Sequence, residues 1–291
     1  MKSILVTGAT GLLGTTLVPY LNKCGYRVVT HARRGGADFL ADLDNSARAF
    51  ELMDQIQPSV IVNLVGLTSV ELCQEQPNAA YLANTLTVEN LAHWILQTGA
   101  TCHLVQISTD QVYDGIATHT EDRVTLTNNY AFSKYAGELA AARVPSTILR
   151  TNFIGRSRAR NRESLTDWVY TSLTGGKHIQ VLRDVFFSPL SMTTLAEMIQ
   201  IVIEKKPVGI FNLGSHNGMS KADFDFAFAE CLGLPTGIMT RIDSSEARFI
   251  KAYRPKNMRM DCSKFEQMFG VKLPNLRDEI KLVAREYHEP A

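Results

Sequence analysis

The amino-acid sequence predicts a doubly wound α/β fold on a parallel sheet, followed by a smaller α/β domain. Three observations predict it. Short apolar runs alternate with stretches of helical spacing through the first half of the chain. A glycine-rich turn directly follows the first of those runs, and the alternation loosens after Arg150.

Ser3–Thr7, Arg27–Thr30, Val60–Asn63, Leu104–Ser108 and Thr147–Arg150 are short apolar runs that read as buried strands. Between them, residues 11–24, 45–56, 77–98 and 129–143 repeat apolar side chains at helical spacing. Repeated βα units of this length require a parallel sheet with helices on both faces. Beyond Arg150, the segment Ile154–Ser164 is polar and arginine-rich, and Gly175–Gly176 is a turn. A helix is expected at about 193–204, then a strand at Gly209–Leu213. Ser220-Lys-Ala-Asp223 has the form of a capping box opening another helix. Pro235, Pro255, Gly270 and Pro274 divide the rest into short elements. The expected domains are 1–153 and 154–291, with elements from about 184–213 packing back on the first.

The chain has 291 residues, which suits one large α/β domain or two unequal ones. Its 30 Lys and Arg balance 29 Asp and Glu, which argues against nucleic acid as a partner. With 45% hydrophobic residues it is not a disordered chain, and no run approaches the roughly 20 apolar residues of a membrane span. The five cysteines (24, 73, 102, 231 and 262) include no CxxC pair, so neither a disulfide framework nor a cysteine zinc site is expected. The seven histidines are scattered, and no metal is expected. The first residues, MKSILVTGATGLLG, read as a strand entering a turn rather than a signal peptide, because Thr7, Gly8, Thr10 and Gly11 interrupt the apolar run. The cytoplasm is the expected location.

Gly8-Ala-Thr10-Gly11-Leu12-Leu13-Gly14 joins the first strand to the first helix. Glycines there allow a tight turn and close approach of a pyrophosphate to the helix N-terminus, as in a Rossmann-type dinucleotide site. The second strand ends Thr30-His31-Ala32-Arg33-Arg34, without the carboxylate that bonds the 2′-hydroxyl in NAD sites. Two guanidiniums can meet a 2′-phosphate, so NADP(H) is expected over NAD(H). A solvated basic loop is the plainer alternative.

Tyr130-Ala-Phe-Ser-Lys134 opens a helix, so Tyr130 and Lys134 share a face. A free phenol has a pKa of about 10, and a neighbouring ammonium makes it a better proton donor near neutrality. Such pairs also occur as simple surface packing. Ser108-Thr109-Asp110-Gln111 stands at the carboxyl end of the fourth main strand, where open parallel sheets bind ligands. A hydroxyl there can hydrogen-bond a substrate carbonyl.

GATGLLG (8–14), Asp42-Leu43, VNLVGLT (62–68), STDQVYDG (108–115), YAFSKYAGE (130–138), LRTNFIG (149–155) and RPKNMRMD (254–261) together resemble the extended short-chain dehydrogenases/reductases. Among these the chain is similar to the dTDP-4-dehydrorhamnose reductases, across nearly its whole length. The resemblance implies NADPH-dependent reduction of the 4-keto group of a nucleotide-linked 4-keto-6-deoxyhexose. It implies a catalytic set of Thr109, Tyr130 and Lys134, with Tyr130 and Lys134 also contacting the cofactor, Lys134 at the nicotinamide ribose, and Thr109 also contacting the substrate. It also implies cofactor contacts from Gly11, Leu12, Leu13, Asp42, Leu43 and the turn Gly66-Leu67-Thr68, and sugar-nucleotide contacts from Asp110, Phe153 and Arg254. His31 stands where relatives often carry an acid, and Phe153 where they often carry Trp. VNLVGLT lacks the usual run of small residues, which implies a narrower cofactor pocket.

Sugar-nucleotide dehydratases of the same superfamily carry an Asp-Glu pair after the threonine. Gln111 cannot take that proton. The regulatory subunit of methionine adenosyltransferase, which binds NADP and serves a partner protein, has the same fold signals and is the non-catalytic alternative. A homodimer would be ordinary. Arg156, Arg158, Arg160 and Arg162 alternate, and in an extended loop they would line a diphosphate channel; a solvated loop is the alternative.

Overall fold

The computed structural model describes residues 3–248 and 250–288. Seven strands form one sheet: β1 (Ile4–Thr7), β2 (Val28–Ala32), β3 (Phe39–Leu40), β4 (Val60–Asn63), β5 (His103–Ile107), β6 (Ser146–Thr151) and β7 (Gly209–Leu213). Their order is β7-β6-β5-β4-β1-β2-β3. The pairs from β3 across to β6 are all parallel. The doubly wound α/β class read from the sequence is the one observed.

The strand order reverses beside β1, where such sheets open a crevice at the carboxyl ends of their strands. A buried polar row marks that end. Thr7 Oγ1 donates to Asn63 Oδ1 at 2.6 Å, and Asn63 Nδ2 donates to Gln106 Oε1 at 2.8 Å, linking β1, β4 and β5.

Four helices matter for the site: α1 (Gly14–Lys23), α2 (Ser46–Ile56), α3 (Thr87–Thr98) and α4 (Asn129–Ala141). α1 starts three residues later than the apolar spacing suggests, because Gly11–Leu13 belong to the turn. Asn45 caps α2 by accepting from Arg48 N at 3.1 Å. The expected helix over 77–98 is three pieces: Pro77–Tyr81, a π-helical Leu82–Leu86, and α3.

The chain divides into two compact units. The first comprises Met1–Thr109, Asn128–Arg150 and Ala196–Phe211. One face of its sheet presents Leu5, Ile61, Leu104 and Ile148 to Leu52 and Met53 of α2 and to Leu91, Trp94 and Ile95 of α3. Burying each such large apolar side chain stabilises the fold by about 1.5–3 kcal/mol. Trp94 meets its polar need by donating Nε1–H to Asp54 Oδ1 at 2.7 Å.

The second unit comprises Asp110–Thr127, Thr151–Leu195 and Asn212–Ala291. Its core holds Val169, Phe187, Phe224, Phe228, Ile280 and Val283, with Phe187 and Phe224 packed edge to face at 5.3 Å. Ser164 and Asp167 form a full capping box at the helix Leu165–Thr174. At Ser220 the hydroxyl both accepts from Asp223 N and donates to its carboxylate.

The sequence places a boundary near 153, with elements from about 184–213 packing back on the first domain; the first unit takes in Ala196–Phe211 and leaves 110–127 to the second. Residues 110–127 join the second unit through a β-like exchange: His119 N donates to Arg259 O at 2.9 Å, and Asp261 N to His119 O at 2.8 Å. Residues 209–211 lie in the strand that extends the seven-stranded sheet. Among the described residues no helix is long and apolar enough to cross a membrane.

Candidate active site

The glycine turn is shaped by its own packing. Gly8 has φ +68°, and a Cβ there would lie 3.1 Å from the Leu64 and Val65 backbone. A Cβ at Gly14 would lie 2.4 Å from the Ala9 carbonyl oxygen. Gly11 N donates to Gly8 O at 2.9 Å, closing the turn. Thr10 lies in the turn, Leu12 O accepts from Thr15 Oγ1 at 3.0 Å, and Leu13 is the residue before the helix. α1 has no acid in its first turn and no side-chain cap among the described residues; Thr15 N and Thr16 N donate to Gly11 O and Leu13 O, so it is the N–H groups ahead of them, in the turn, that suit an anion.

Arg33, Arg34 and Asp42 line one cavity of about 630 Å³, together with Leu40, Arg48 and Glu51. His31 does not line it. Its ring is buried, with Nε2 donating to Ala41 O at 3.0 Å, and burial holds its pKa below the ordinary histidine value. Leu43 is buried, and its carbonyl accepts from Asn90 Nδ2 at 2.9 Å, which fixes the chain beside Asp42.

Asn84, in the π-helical turn, holds the Gly66-Leu67-Thr68 turn from both sides. Leu67 N donates to Asn84 Oδ1 at 2.7 Å, and Asn84 Nδ2 donates to Leu67 O at 3.0 Å and to Ser133 Oγ at 2.9 Å. Thr68 at the end of this turn is exposed. A side chain at Gly66 would strike Asn84 Oδ1 at 3.1 Å, with Lys134 Nζ only 3.7 Å away. Asn84 therefore couples the turn to α4. Sequence reasoning missed it, since no motif carries it; a polar residue inside an interrupted helix was the available signal.

Asn128 opens α4 by accepting from Ala131 N at 2.9 Å, which places Tyr130 and Lys134 in its first turns. Both are buried. Lys134 Nζ donates to Ile107 O at 2.7 Å, at the end of β5 and two residues before Thr109. Burial lowers the Lys134 pKa to about 8, against the opposing pull of Glu138 and Cys73. Thr109, also buried, ends this stretch of the first unit.

One turn beyond Lys134, Glu138 accepts Ser108 Oγ–H and Arg150. It was visible in YAFSKYAGE, but nothing in the sequence showed its partners.

In the second unit, buried Asp110 accepts from Asn152 Nδ2 at 2.8 Å through Oδ2. Phe153 follows in the short strand Phe153–Ile154, which pairs with Leu190–Ser191. Arg254 is half-buried, in a segment tied to 110–127. Tyr253 OH and Lys256 N each donate to Asp114 at 2.8 Å, and Asn257 Nδ2 donates to the Ile116 and Ala117 carbonyls. The STDQVYDG and RPKNMRMD segments thus form one hydrogen-bonded layer within this unit. The arginine loop is not one extended face. Residues 159–161 turn, Asn161 has φ +56°, and Arg156 is occupied by Glu286 at 2.8 Å.

Over residues 1–289 the chain matches the family described as the RmlD substrate binding domain. It belongs to that family. The resemblance read from the motifs is borne out by this match. Relatives similar to the chain include a probable low-salt glycan biosynthesis reductase of Haloferax volcanii, 27% identical over 94% of this chain and 95% of that one. The dTDP-4-dehydrorhamnose reductase of Escherichia coli is 26% identical over 98% and 97%. The methionine adenosyltransferase 2 subunit beta of Rattus norvegicus is 27% identical over 94% and 84%. Among solved structures, dTDP-4-dehydrorhamnose reductase from Bacillus anthracis in complex with NADP superposes with TM-score 0.89, at 22% identity over 98% of this chain and all of that one. A Bordetella bronchiseptica enzyme in complex with NAD gives 0.83, at 19% identity over 98% and 94%. These two likenesses show the fold that the chain shares with them.

Proposed function

We propose that this chain is an NADPH-dependent reductase of the 4-keto group of a nucleotide-activated 4-keto-6-deoxyhexose. The observation that carries the reading is buried Lys134, on the helical face it shares with Tyr130 and held by the carbonyl of Ile107, the last residue of β5 and two residues before Thr109. Reduction adds a hydride to the carbonyl carbon and a proton to its oxygen. When bound, the nicotinamide supplies that hydride. Tyr130 donates the proton, and the Lys134 ammonium favours the phenolate that remains. Thr109 hydrogen-bonds the same oxygen and orients it. Asp110, Phe153 and Arg254 bind the sugar nucleotide.

The residues present fit a dinucleotide. Gly8, Thr10, Gly11, Leu12 and Leu13 would hold the pyrophosphate at the uncapped start of α1. Asp42, Leu43 and the 66–68 turn would flank adenine and nicotinamide. Arg33 and Arg34 would meet a 2′-phosphate, which supports NADP(H) over NAD(H). Five free thiols suit a reducing compartment, and the cytoplasm is the location we assign.

The test is NADPH and NADH oxidation against a panel of nucleotide-linked 4-keto-6-deoxyhexoses. Turnover with at least one, faster with NADPH, is expected. A regulatory reading is favoured by the methionine adenosyltransferase subunit among the relatives. Absence of turnover across the panel, with stable binding of a methionine adenosyltransferase catalytic subunit, would establish that reading instead.

A further inference from the structure

The cavity that holds Arg33 and Arg34 has a third guanidinium in its wall, Arg48, and is lined as well by two carboxylates, Asp42 and Glu51. Arg48 sits in the first turn of α2, where Asn45 fixes its backbone N–H. Its Nη1 pairs with Glu51 Oε2 at 2.8 Å, one turn along the helix. Both side chains are about two-thirds exposed, 66% and 67%, so water screens the pair and holds it weakly. A phosphate dianion offers a guanidinium more charge and more acceptor oxygens than one exposed carboxylate. A ribose hydroxyl offers neither.

From this geometry we infer that Arg48 is a specificity-determining residue for a 2′-phosphorylated dinucleotide: it exchanges Glu51 for the 2′-phosphate. Glu51 is then a built-in competitor. It occupies Arg48 when a 2′-hydroxyl ligand is bound and yields it only to a phosphate. Asp42 and Glu51 together repel an anion that fails to engage all three arginines, so discrimination depends on Arg48 as well as on the two arginines after β2. The inference rests on the dinucleotide reading of this cavity.

Calorimetric binding of 2′,5′-ADP and 5′-ADP to the full chain tests it without turnover. Arg48→Ala is an exposed helical substitution to a strong helix former, so the fold is retained. It should weaken 2′,5′-ADP about fivefold or more and leave 5′-ADP within about twofold. Glu51→Gln should tighten 2′,5′-ADP by about two- to fivefold, again with 5′-ADP unchanged. The double variant Arg33→Ala/Arg34→Ala is the reference, expected to weaken 2′,5′-ADP about tenfold or more. If the double variant loses affinity while Arg48→Ala and Glu51→Gln do not, the role of Arg48 is wrong and the dinucleotide reading stands. Equal loss of both ligands in Arg48→Ala also overturns the role. If no variant changes the ratio of the two affinities, the 2′-phosphate site itself is misplaced and the inference falls with it.

Discussion

Glu138 accepts Arg150 through Nη2 at 2.7 Å and through Nε at 3.1 Å, and both side chains are 1% exposed. Ser108 Oγ donates to the same carboxylate, so the pair ties α4 to the end of β6 and to the residue that precedes Thr109 in the chain. Removing one partner takes away the opposite charge that the other meets in a buried setting, which costs about 3–5 kcal/mol. Glu138→Gln should therefore lower urea-unfolding stability by about that amount. Glu138→Leu/Arg150→Met, which removes both charges, should recover most of the loss. A double variant as unstable as the single one would show that packing, not the stranded charge, sets the cost.

Tyr130→Phe keeps the ring and removes the proposed proton donor. General acid groups contribute roughly 10²–10⁴ in rate, so kcat should fall within that range while NADPH affinity stays near wild type. Stopped-flow hydride transfer and NADPH fluorescence titration separate the two effects. Full activity in this variant would assign proton donation elsewhere.

The Lys134 pKa, lowered to about 8 by burial, makes two pH effects testable. Above about 8 the ammonium proposed to assist Tyr130 is lost, so kcat should decline on the alkaline side. Stability moves the other way. The unfolded chain keeps this proton up to 10.5, so between 8 and 10.5 it binds more protons than the folded chain. The contribution of Lys134 to stability therefore rises with pH across that window. Lys134→Met should lack both effects when its kcat profile and urea-unfolding curves are compared with wild type. An identical alkaline limb in the variant would place it on another group.

The legible parts of this molecule are those where one residue type at one position has a local cause. Gly8 could be read because its backbone conformation favours glycine, and Tyr130 and Lys134 because four residues make about one helical turn. What stayed hidden depends on partners far along the chain. Asn84 grips Leu67 17 residues away and Ser133 49 away, from a π turn that apolar periodicity cannot show. The segment 110–127 is held by residues 253–261, beyond reach of any local pattern. His31 was legible as a departure from the acid, but not as a ring turned into the Ala41 carbonyl.

Asn84 makes a prediction of its own. Asn84→Ala removes the acceptor of Leu67 N and a donor to Leu67 O and Ser133 Oγ, leaving the part-buried Leu67 N–H without that acceptor while Cys73 Sγ still donates to Leu67 O. Stability should fall by about 1–3 kcal/mol. Because the released turn adjoins Lys134 Nζ, KM for NADPH should rise along with the loss of stability. A stability loss with unchanged KM and kcat would confine Asn84 to a structural role.

Asp225 tests the second unit independently of the site. It is buried on the helix Lys221–Cys231 between Phe224 and Phe228 in sequence, and its Oδ1 has no hydrogen-bond partner among the described residues. Burial pushes its carboxyl up to about 8, with Lys221 opposing. The folded chain thus holds this proton between 3.8 and 8 while the unfolded chain does not. The contribution of Asp225 to stability is full below 3.8 and is lost as pH rises through 8. Asp225→Asn cannot ionise, so its stability relative to wild type should grow steadily from pH 4 to pH 8, about the bounds of that window. Urea unfolding at four pH values measures the difference, and a constant offset would mean that the carboxyl ionises near its ordinary value despite its burial.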